Sequence, residues 1–208
     1  MSYLCAGVFA EGPTDYAFLL PLLDHMLPDL AHTALSRVPV IGDSVGIDAP
    51  GRPPARRADR IAAAINAFFG QCTLFVIHSD GEGDPERALR ERIEPGIAVA
   101  RASRPDLAIA ACVPVREIEA WLLADNRPFE NLLRSSAPPL LPPDPEAVLD
   151  PKLELGHLLG AGGGPKLRTD VYAFFGANAG MTGLRRLPAF RRFEEQLVSA
   201  IQAAAREH

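Results

Sequence analysis

Residues 3–15 read Tyr3-Leu-Cys-Ala-Gly-Val-Phe-Ala-Glu-Gly-Pro-Thr-Asp15, an apolar run that leads directly into the carboxylate of Glu11 and a glycine turn. A second apolar run, Thr73-Leu-Phe-Val-Ile-His-Ser-Asp80-Gly-Glu82, ends in the same way. Short apolar runs that end at turn residues are typical of buried strands. If both runs are parallel strands of one sheet, their carboxyl ends share the edge at which open α/β sheets place ligands. The sequence therefore predicts an acidic cluster at that edge.

An acidic cluster needs a compensating group. Two carboxylates about 4 Å apart repel by roughly 4 kcal/mol at an effective dielectric constant near 20. Either protonation of one acid or a divalent cation relieves this repulsion. Mg²⁺ and Mn²⁺ prefer oxygen ligands, bind one or two carboxylates directly and keep several waters. We therefore predict that Glu11, Asp80 and Glu82 are ligands of Mg²⁺ or Mn²⁺.

Helix capping is the alternative role for acids that follow strands. Asp15 lies at the start of an apolar helical pattern, and Asp84 directly precedes Pro85. Both arrangements are typical of helix starts. We therefore predict that Asp15 and Asp84 mainly cap helices, and that Glu11, Asp80 and Glu82 bind the metal.

The composition indicates a globular protein. Of the 208 residues, 48% are hydrophobic and 23% are charged, which suits one domain with an elaboration. No apolar stretch reaches the ~20 residues that a membrane span requires, so we expect a cytoplasmic protein without membrane contact. Three separated cysteines, Cys5, Cys72 and Cys112, lie in apolar runs and are predicted to be reduced core thiols.

The charge pattern bears on nucleic-acid binding. A formal net charge of -5 argues against binding by bulk electrostatics, which leaves only local basic patches. Arg56, Arg57 and Arg60 form one patch before a predicted helix, and we predict that they bind nucleic acid. A second patch lies at residues 185–192. Charge runs are more often solvated faces of helices, and that alternative stays open for both patches.

Strands alternate with helices along the chain, and this order predicts a mostly parallel four-stranded sheet flanked by helices. We predict an α/β core over residues 1–126. Residues 127–208 are predicted to form a Pro/Gly-rich connection and a helical C-terminal elaboration packed on that core. The predicted strands are residues 3–10, 35–41, 72–78 and 107–113, and the predicted helices include residues 15–27, 57–69, 85–102 and 188–205.

A further pair of acids follows the fourth predicted strand. Glu117 and Glu119 open a predicted helix that begins at the same edge of the sheet. One of them could face the acidic cluster. Alternatively, both acids favour the positive end of the helix, and Trp121 belongs to the core.

Several motifs in this order resemble the Toprim fold, the metal-binding domain of topoisomerases, primases and OLD-type nucleases. Glu11-Gly matches the first Toprim motif, and Asp80-Gly-Glu82 stands in place of the usual Asp-x-Asp. More closely, the chain looks like a Toprim-like bacterial family that is often encoded beside ATPases in defence neighbourhoods. The motifs that carry this likeness are Glu11-Gly-Pro-Thr-Asp15, Glu117-Ile-Glu-Ala-Trp-Leu-Leu-Ala-Asp125, Asp150-Pro-Lys152 and Gly183-Leu-Arg-Arg-Leu-Pro-Ala-Phe190.

The resemblance implies roles for individual residues. Glu11 would be a general acid/base or a metal ligand, and Asp80 and Glu82 would be metal ligands. Glu119 would be a further catalytic acid. OLD-type nucleases use a lysine, and Lys166 or Lys152 would supply that cation to the scissile phosphate, although a solvated surface lysine is the favoured alternative for either.

The expected function is therefore a metal-dependent nuclease with DNA or RNA as substrate, as part of a bacterial defence system. The alternative is a catalytically weak Toprim-like subunit that serves an AAA- or ABC-type ATPase partner.

Overall fold

A four-stranded parallel sheet organises the fold, and its strands lie in the spatial order Val45–Gly46, Ala6–Phe9, Leu74–His78 and Ile109–Cys112. The computed structural model describes residues 3–133, 139–160 and 168–206. The predicted fold class, an α/β protein with a mostly parallel four-stranded sheet flanked by helices, is confirmed. The strands are β1 (Tyr3–Leu4), β2 (Ala6–Phe9), β3 (Val40–Ile41), β4 (Val45–Gly46), β5 (Leu74–His78) and β6 (Ile109–Cys112), of which β1 and β3 form a separate parallel pair.

Helices cover both faces of this sheet. They are α1 (Pro13–Ala34), α2 (Arg57–Phe68), α3 (Pro85–Ala88), α4 (Glu94–Ser103), α5 (Glu119–Leu122), α6 (Arg127–Leu133), α7 (Pro151–Leu158), α8 (Thr169–Asn178), α9 (Met181–Leu184) and α10 (Pro188–Arg206). A π-helical turn, Leu89–Ile93, joins α3 to α4, and a 3₁₀ turn spans Pro145–Ala147. After residue 126 the chain stays on the same sheet, because α8 packs against α1 and α10 packs against β6.

The alternating side chains of the strands divide the core into two layers. In β5, Leu74 and Val76 face the layer under α1, α8 and α10, while Phe75 and Ile77 face the layer under α2 and α4. A period of two is what a strand imposes, since successive side chains point to opposite faces. Trp121 is buried in the first layer against Phe190 and Phe193, as the core interpretation predicted.

Three predicted elements differ from the structure. Of the predicted strand at 35–41, only Val40–Ile41 is a strand, and it pairs with β1, while the edge strand of the main sheet is Val45–Gly46. Helix α1 runs on past Pro28, because Leu30 and Ala31 are buried in the core and their packing outweighs the hydrogen bond that proline removes. The helix expected from Glu117 is only the short α5, Glu119–Leu122.

The predicted helix at 85–102 is present, but its axis is interrupted by the π-helical turn. Within this turn the backbone N–H of Glu94 donates to the carbonyl of Leu89, five residues back. Pro95 follows directly and has no N–H to donate to the carbonyl of Glu91. Such turns are often found at functional sites, and this one carries Arg92.

Across residues 3–133, 139–160 and 168–206, no helix combines the length and apolar character that crossing a membrane requires. All three cysteines are buried and free, as predicted.

Candidate functional site

The ends of β2 and β5 place Glu11 and Asp80 at one edge of the sheet. The two strands are neighbours, with Phe9 opposite Ile77, so the residues that follow them meet. Ser79 Oγ donates a hydrogen bond of 2.6 Å to Glu11 Oε1 and thereby ties the two loops together. The predicted meeting of the two acidic strand ends is therefore present in the structure.

Glu11 lies between two arginines. Its Oε1 is 3.2 Å from Nη2 of Arg57 and 4.0 Å from Nη1 of Arg92. Its side chain is about one-third exposed, at 31%. The carboxylate of Glu11 therefore has arginine charge beside it and still reaches solvent.

Glu82 points towards arginines as well. Its Oε1 accepts a 2.7 Å hydrogen bond from Nη2 of Arg92, and its Oε2 lies 3.9 Å from Arg87. The backbone of Glu82 has a φ of 50°, in the left-handed region that L-residues seldom adopt. In this conformation Arg92 links Glu82 to Glu11, and the 53% exposed side chain of Glu82 is neutralised by arginines.

Gly81 lets the loop between Asp80 and Glu82 approach the chain after β6. The N–H of Gly81 donates to the carbonyl of Arg116, at 2.9 Å, and the N–H of Gly83 donates to that of Val115, at 2.7 Å. A Cβ at Gly81 would stand 2.5 Å from the carbonyl oxygen of Val115 and still closer to that of Pro114. Only glycine fits this close backbone approach.

Asp80 and His78 face each other inside the site. Asp80 Oδ1 and His78 Nε2 are both buried, both lack a hydrogen-bond partner within the described part of the protein, and lie 3.5 Å apart. The other ring nitrogen of His78, Nδ1, lies 3.0 Å from the carbonyl oxygen of Cys112. Burial alone would lower the pKa of His78, but Asp80 and Cys112 raise it well above its ordinary value. Sequence reasoning missed His78 because it sits inside an apolar strand.

Asp15 caps α1, as predicted. Its Oδ2 accepts from the N–H of Gly12 at 2.8 Å, which is the capping-box contact. The same oxygen lies 3.8 Å from His78 Nε2. Burial raises the pKa of Asp15, His78 lowers it, and the charges of Asp80 and Glu119 raise it further. Asp15 therefore belongs to the acidic cluster as well as to the helix.

Asp84 is the predicted N-cap of α3, where it accepts from the N–H of Arg87 at 2.9 Å.

Glu119 continues the site on the other side of Asp15. Its side chain is almost fully buried, and its Oε1 accepts a 2.6 Å hydrogen bond from the hydroxyl of Tyr172. Lys152 Nζ lies 3.3 Å from the same oxygen. Burial lowers the pKa of Lys152, but its attraction to Glu119 outweighs this effect and leaves the pKa raised. Glu119 therefore has specific partners in Tyr172 and Lys152, in addition to its position at the start of α5.

Glu117 is half-buried beside Glu119. Its Oε2 is buried and lacks a hydrogen-bond partner within the described residues. Burial raises the pKa of Glu117, and the charges of Glu119 and Asp80 raise it further. The carboxyl edge of the sheet therefore holds a second unpartnered carboxylate oxygen, in addition to that of Asp80.

The predicted nucleic-acid-binding arginines separate in the structure. Arg57 lies at the acidic edge of the sheet, beside Glu11. Arg56 is 77% exposed and lies 3.4 Å from Asp59, while Arg60 forms an ion pair with Asp48.

In the second patch each of three arginines has a protein partner: Arg185 pairs with Glu194, Arg192 with Glu86, and Arg186 donates to the carbonyl of Ala124. Lys166, the predicted catalytic lysine, lies outside the described residues.

The fit of the site to a metal ion rests on its unpartnered oxygens. Within the described residues, no three His, Cys, Asp or Glu side chains are already gathered around a common metal position. A hydrated Mg²⁺ or Mn²⁺ does not need three, because it binds one or two carboxylates directly and takes its remaining ligands from water. Asp80 offers one buried oxygen that accepts no hydrogen bond within the described residues and has His78 Nε2 3.5 Å away. The donor set therefore fits a hydrated cation at Asp80, while Glu11 and Glu82 are held by arginines.

The comparisons with known proteins found no counterpart: no protein-family model, no curated protein and no solved structure matches this chain.

Proposed function

We propose that this protein is a Mg²⁺- or Mn²⁺-dependent nuclease of Toprim-like type that hydrolyses phosphodiester bonds. The observation that carries the proposal is Asp80, whose buried Oδ1 has no hydrogen-bond partner within the described residues, at the sheet edge where Glu11 also lies. The Asp80 side chain is 28% exposed, but a buried carboxylate oxygen without a hydrogen bond is costly unless a further group binds it. A divalent cation held by Asp80 would fill this role and would bring a phosphate to the same edge.

Different residues would bind the cation and transfer the proton. Asp80 would hold the cation, with Glu11 and Glu82 within the same edge of the sheet. When bound, such a cation polarises a phosphate, activates water and stabilises the departing oxygen. Glu11 is held by Ser79 and Arg57 and remains partly exposed, so its carboxylate can accept or donate a proton at Oε2 while Oε1 is fixed. Glu119 would serve as a second, buried acid, and the hydroxyl of Tyr172 would orient its carboxylate.

The alternative function is a catalytically weak interaction subunit of an ATPase complex. One feature favours it: Glu11 and Glu82 already have arginine partners, so two of the three predicted ligands need no cation for neutrality. Membership of a bacterial defence system and an ATPase partner belong to the proposal, and both rest on the motif resemblance alone.

Replacing Glu11 by glutamine distinguishes the two functions. Glu11→Gln keeps the length and hydrogen bonding of the side chain but cannot carry the charge or exchange the proton. Since one positioned acid/base contributes 10²–10⁴-fold to rate, we expect cleavage of DNA or RNA with Mn²⁺ to fall by at least about 100-fold, with melting little changed.

The matched control is Glu194→Gln, which removes the charge from the 2.7 Å pair between Arg185 and Glu194 of α10 and should cleave at the wild-type rate. If Glu11→Gln cleaves as fast as wild type, or wild type cleaves neither DNA nor RNA, the interaction-subunit function replaces the nuclease.

A further inference from the structure

Arg57 is fixed in place before any ligand binds. Its Nε donates to the carbonyl of Arg92 at 3.1 Å, and its Nη2 donates to the carbonyl of His78 at 2.8 Å. Its guanidinium lies 5.5 Å from the ring centre of Phe9. A guanidinium held by two carbonyls and an aromatic face loses little conformational freedom when it binds an anion.

Arg92 reaches the same place from the π-helical turn. Its Nη2 is bound to Glu82 at 2.7 Å, and its Nη1 lies 4.0 Å from Glu11. Gly96 permits this position, because helix α4 approaches α2 so closely that a Cβ at Gly96 would lie 2.8 Å from Cβ of Ile61. The packing of these two helices therefore sets the distance between the two arginines.

The two guanidinium groups converge on a single anionic oxygen. Glu11 Oε1 lies within 4.0 Å of both, so the two guanidinium groups are close enough to share one anionic partner. Two further arginines lie beside the loop that carries Glu82. Arg87 is 3.9 Å from Glu82, and the guanidinium of Arg116 lies 3.6 Å from the Cβ position of Gly83. On a chain of net charge -5, this is a local concentration of arginine.

We propose that Arg57 and Arg92 form the subsite for a phosphate group of the nucleic-acid substrate, an inference that rests on the proposed nuclease function. Guanidinium forks match phosphate oxygens in a bidentate way, which an ammonium cannot do. Arg57 supplies the fixed half of the subsite. Among the described residues, the guanidinium of Arg92 is held only by the carboxylates of Glu82 and Glu11, so it exchanges Glu82 for a phosphate oxygen and places the phosphate beside Asp80.

Binding of a short, fluorescein-labelled single-stranded DNA tests the subsite. Fluorescence anisotropy is measured in chelator, so that no cleavage occurs, over a series of salt concentrations. Each phosphate contact contributes about 0.7 to the slope of log K against log salt for single strands. We expect Arg92→Met to weaken binding and to reduce this slope by about 0.7. Arg92→Lys should restore the slope without restoring the full affinity, because it keeps the charge and loses the fork.

Arg185→Met is the matched control. It removes the same charge and breaks a pair of the same 2.7 Å length, Arg185 to Glu194, and it should leave the slope unchanged. If Arg185→Met reduces the slope as much as Arg92→Met, the effect is one of net charge and the subsite is overturned. Wild-type protein that does not bind the probe overturns it as well.

The same variants separate this inference from the proposed function. If Arg92→Met alters binding as expected but wild type cleaves nothing with Mn²⁺, the phosphate subsite stands and the nuclease function fails. If wild type cleaves and Arg92→Met leaves both the slope and KM unchanged, the nuclease stands and the subsite is overturned.

Discussion

Asp80 is the residue on which the metal site depends, because its buried oxygen accepts no hydrogen bond within the described residues. Asp80→Asn preserves shape and removes the charge. A cation that binds only the folded protein stabilises it by mass action, about 2.7 kcal/mol at 100 times its dissociation constant. We expect Mn²⁺ to raise the melting temperature of wild type over that in chelator, and we expect Asp80→Asn to lose this increase while keeping its fold.

Asp170→Asn provides the comparison for this prediction, since it removes an exposed carboxylate that pairs with Arg168 away from the site. It should respond to Mn²⁺ as wild type does. A wild-type melt that is identical in chelator and in millimolar Mn²⁺ would remove the basis for the metal. An Asp80→Asn protein that unfolds but keeps its metal affinity would make Asp80 a structural residue.

Glu117 should give the cluster a pH dependence. Burial and the charges of Glu119 and Asp80 raise the pKa of Glu117 above its ordinary value of 4.5. A carboxyl group of this kind contributes stability below its unfolded pKa and loses it as the pH rises through its folded pKa. In chelator, the free energy of unfolding of wild type should therefore fall relative to that of Glu117→Gln as the pH rises above 4.5.

Urea unfolding at a series of pH values checks this prediction. Because other carboxylates titrate in both proteins, the difference between the two curves is the quantity that matters. A constant difference across the pH range would show that Glu117 is not under electrostatic strain from its neighbours.

How far sequence predicts this site depends on where each residue lies. Glu11 and Asp80 could be predicted to meet, because parallel strands bring their carboxyl ends to one edge. His78 and Arg92 could not, since one is a histidine inside an apolar strand and the other an arginine in a helix. Their roles depend on neighbours far along the chain, such as Cys112 and Glu11.

At the scale of elements, the contact between α2 and α4 decides the geometry of the arginine pair. A Cβ at Gly96 would lie 2.8 Å from Cβ of Ile61, a branched core side chain that cannot move aside easily. Overpacking of this kind costs about 1–3 kcal/mol. We expect Gly96→Ala to lower the free energy of unfolding, measured by urea denaturation.

Gly156→Ala in α7 is the matched control, because nothing lies within 4 Å of its Cβ position. Alanine favours a helix over glycine by roughly 0.8–1 kcal/mol, so this variant should be more stable than wild type. The two substitutions should therefore have opposite signs. A Gly96→Ala protein as stable as Gly156→Ala would contradict the close contact between α2 and α4.

Element boundaries show where local patterns stop being decisive. The strands and helices with strong apolar periodicity were predicted within a few residues, including Arg57–Phe68, Leu74–His78 and Pro188–Arg206. The edge strand Val45–Gly46 was missed because it is two residues long and lies in a Gly/Pro-rich loop. Its pairing with β2 is a tertiary contact, which no local propensity encodes.

At the scale of the whole molecule, one property of the fold accounts for the site. Neighbouring parallel strands β2, β5 and β6 all end at one edge, and the chain after each contributes an acid there: Glu11, Asp80 and Glu117. The sheet therefore gathers negative charge at this edge, where the buried ring of His78 lies beside Asp15 and Asp80. Arginines from α2 and the π-helical turn compensate Glu11 and Glu82, while Asp80 and Glu117 keep buried oxygens that accept no hydrogen bond in the described residues.

Anomalous diffraction from a crystal soaked in Mn²⁺ is the most direct measurement of whether this edge is a metal site. We predict an anomalous peak at metal–oxygen bonding distance, about 2.1 Å, from a carboxylate oxygen of Asp80, on the side that faces Glu11. The same soak with Asp80→Asn crystals should show no peak there. A wild-type crystal with full Mn²⁺ exposure and no anomalous density at Asp80 would contradict the central claim, and the acidic edge would then be neutralised by its arginines alone.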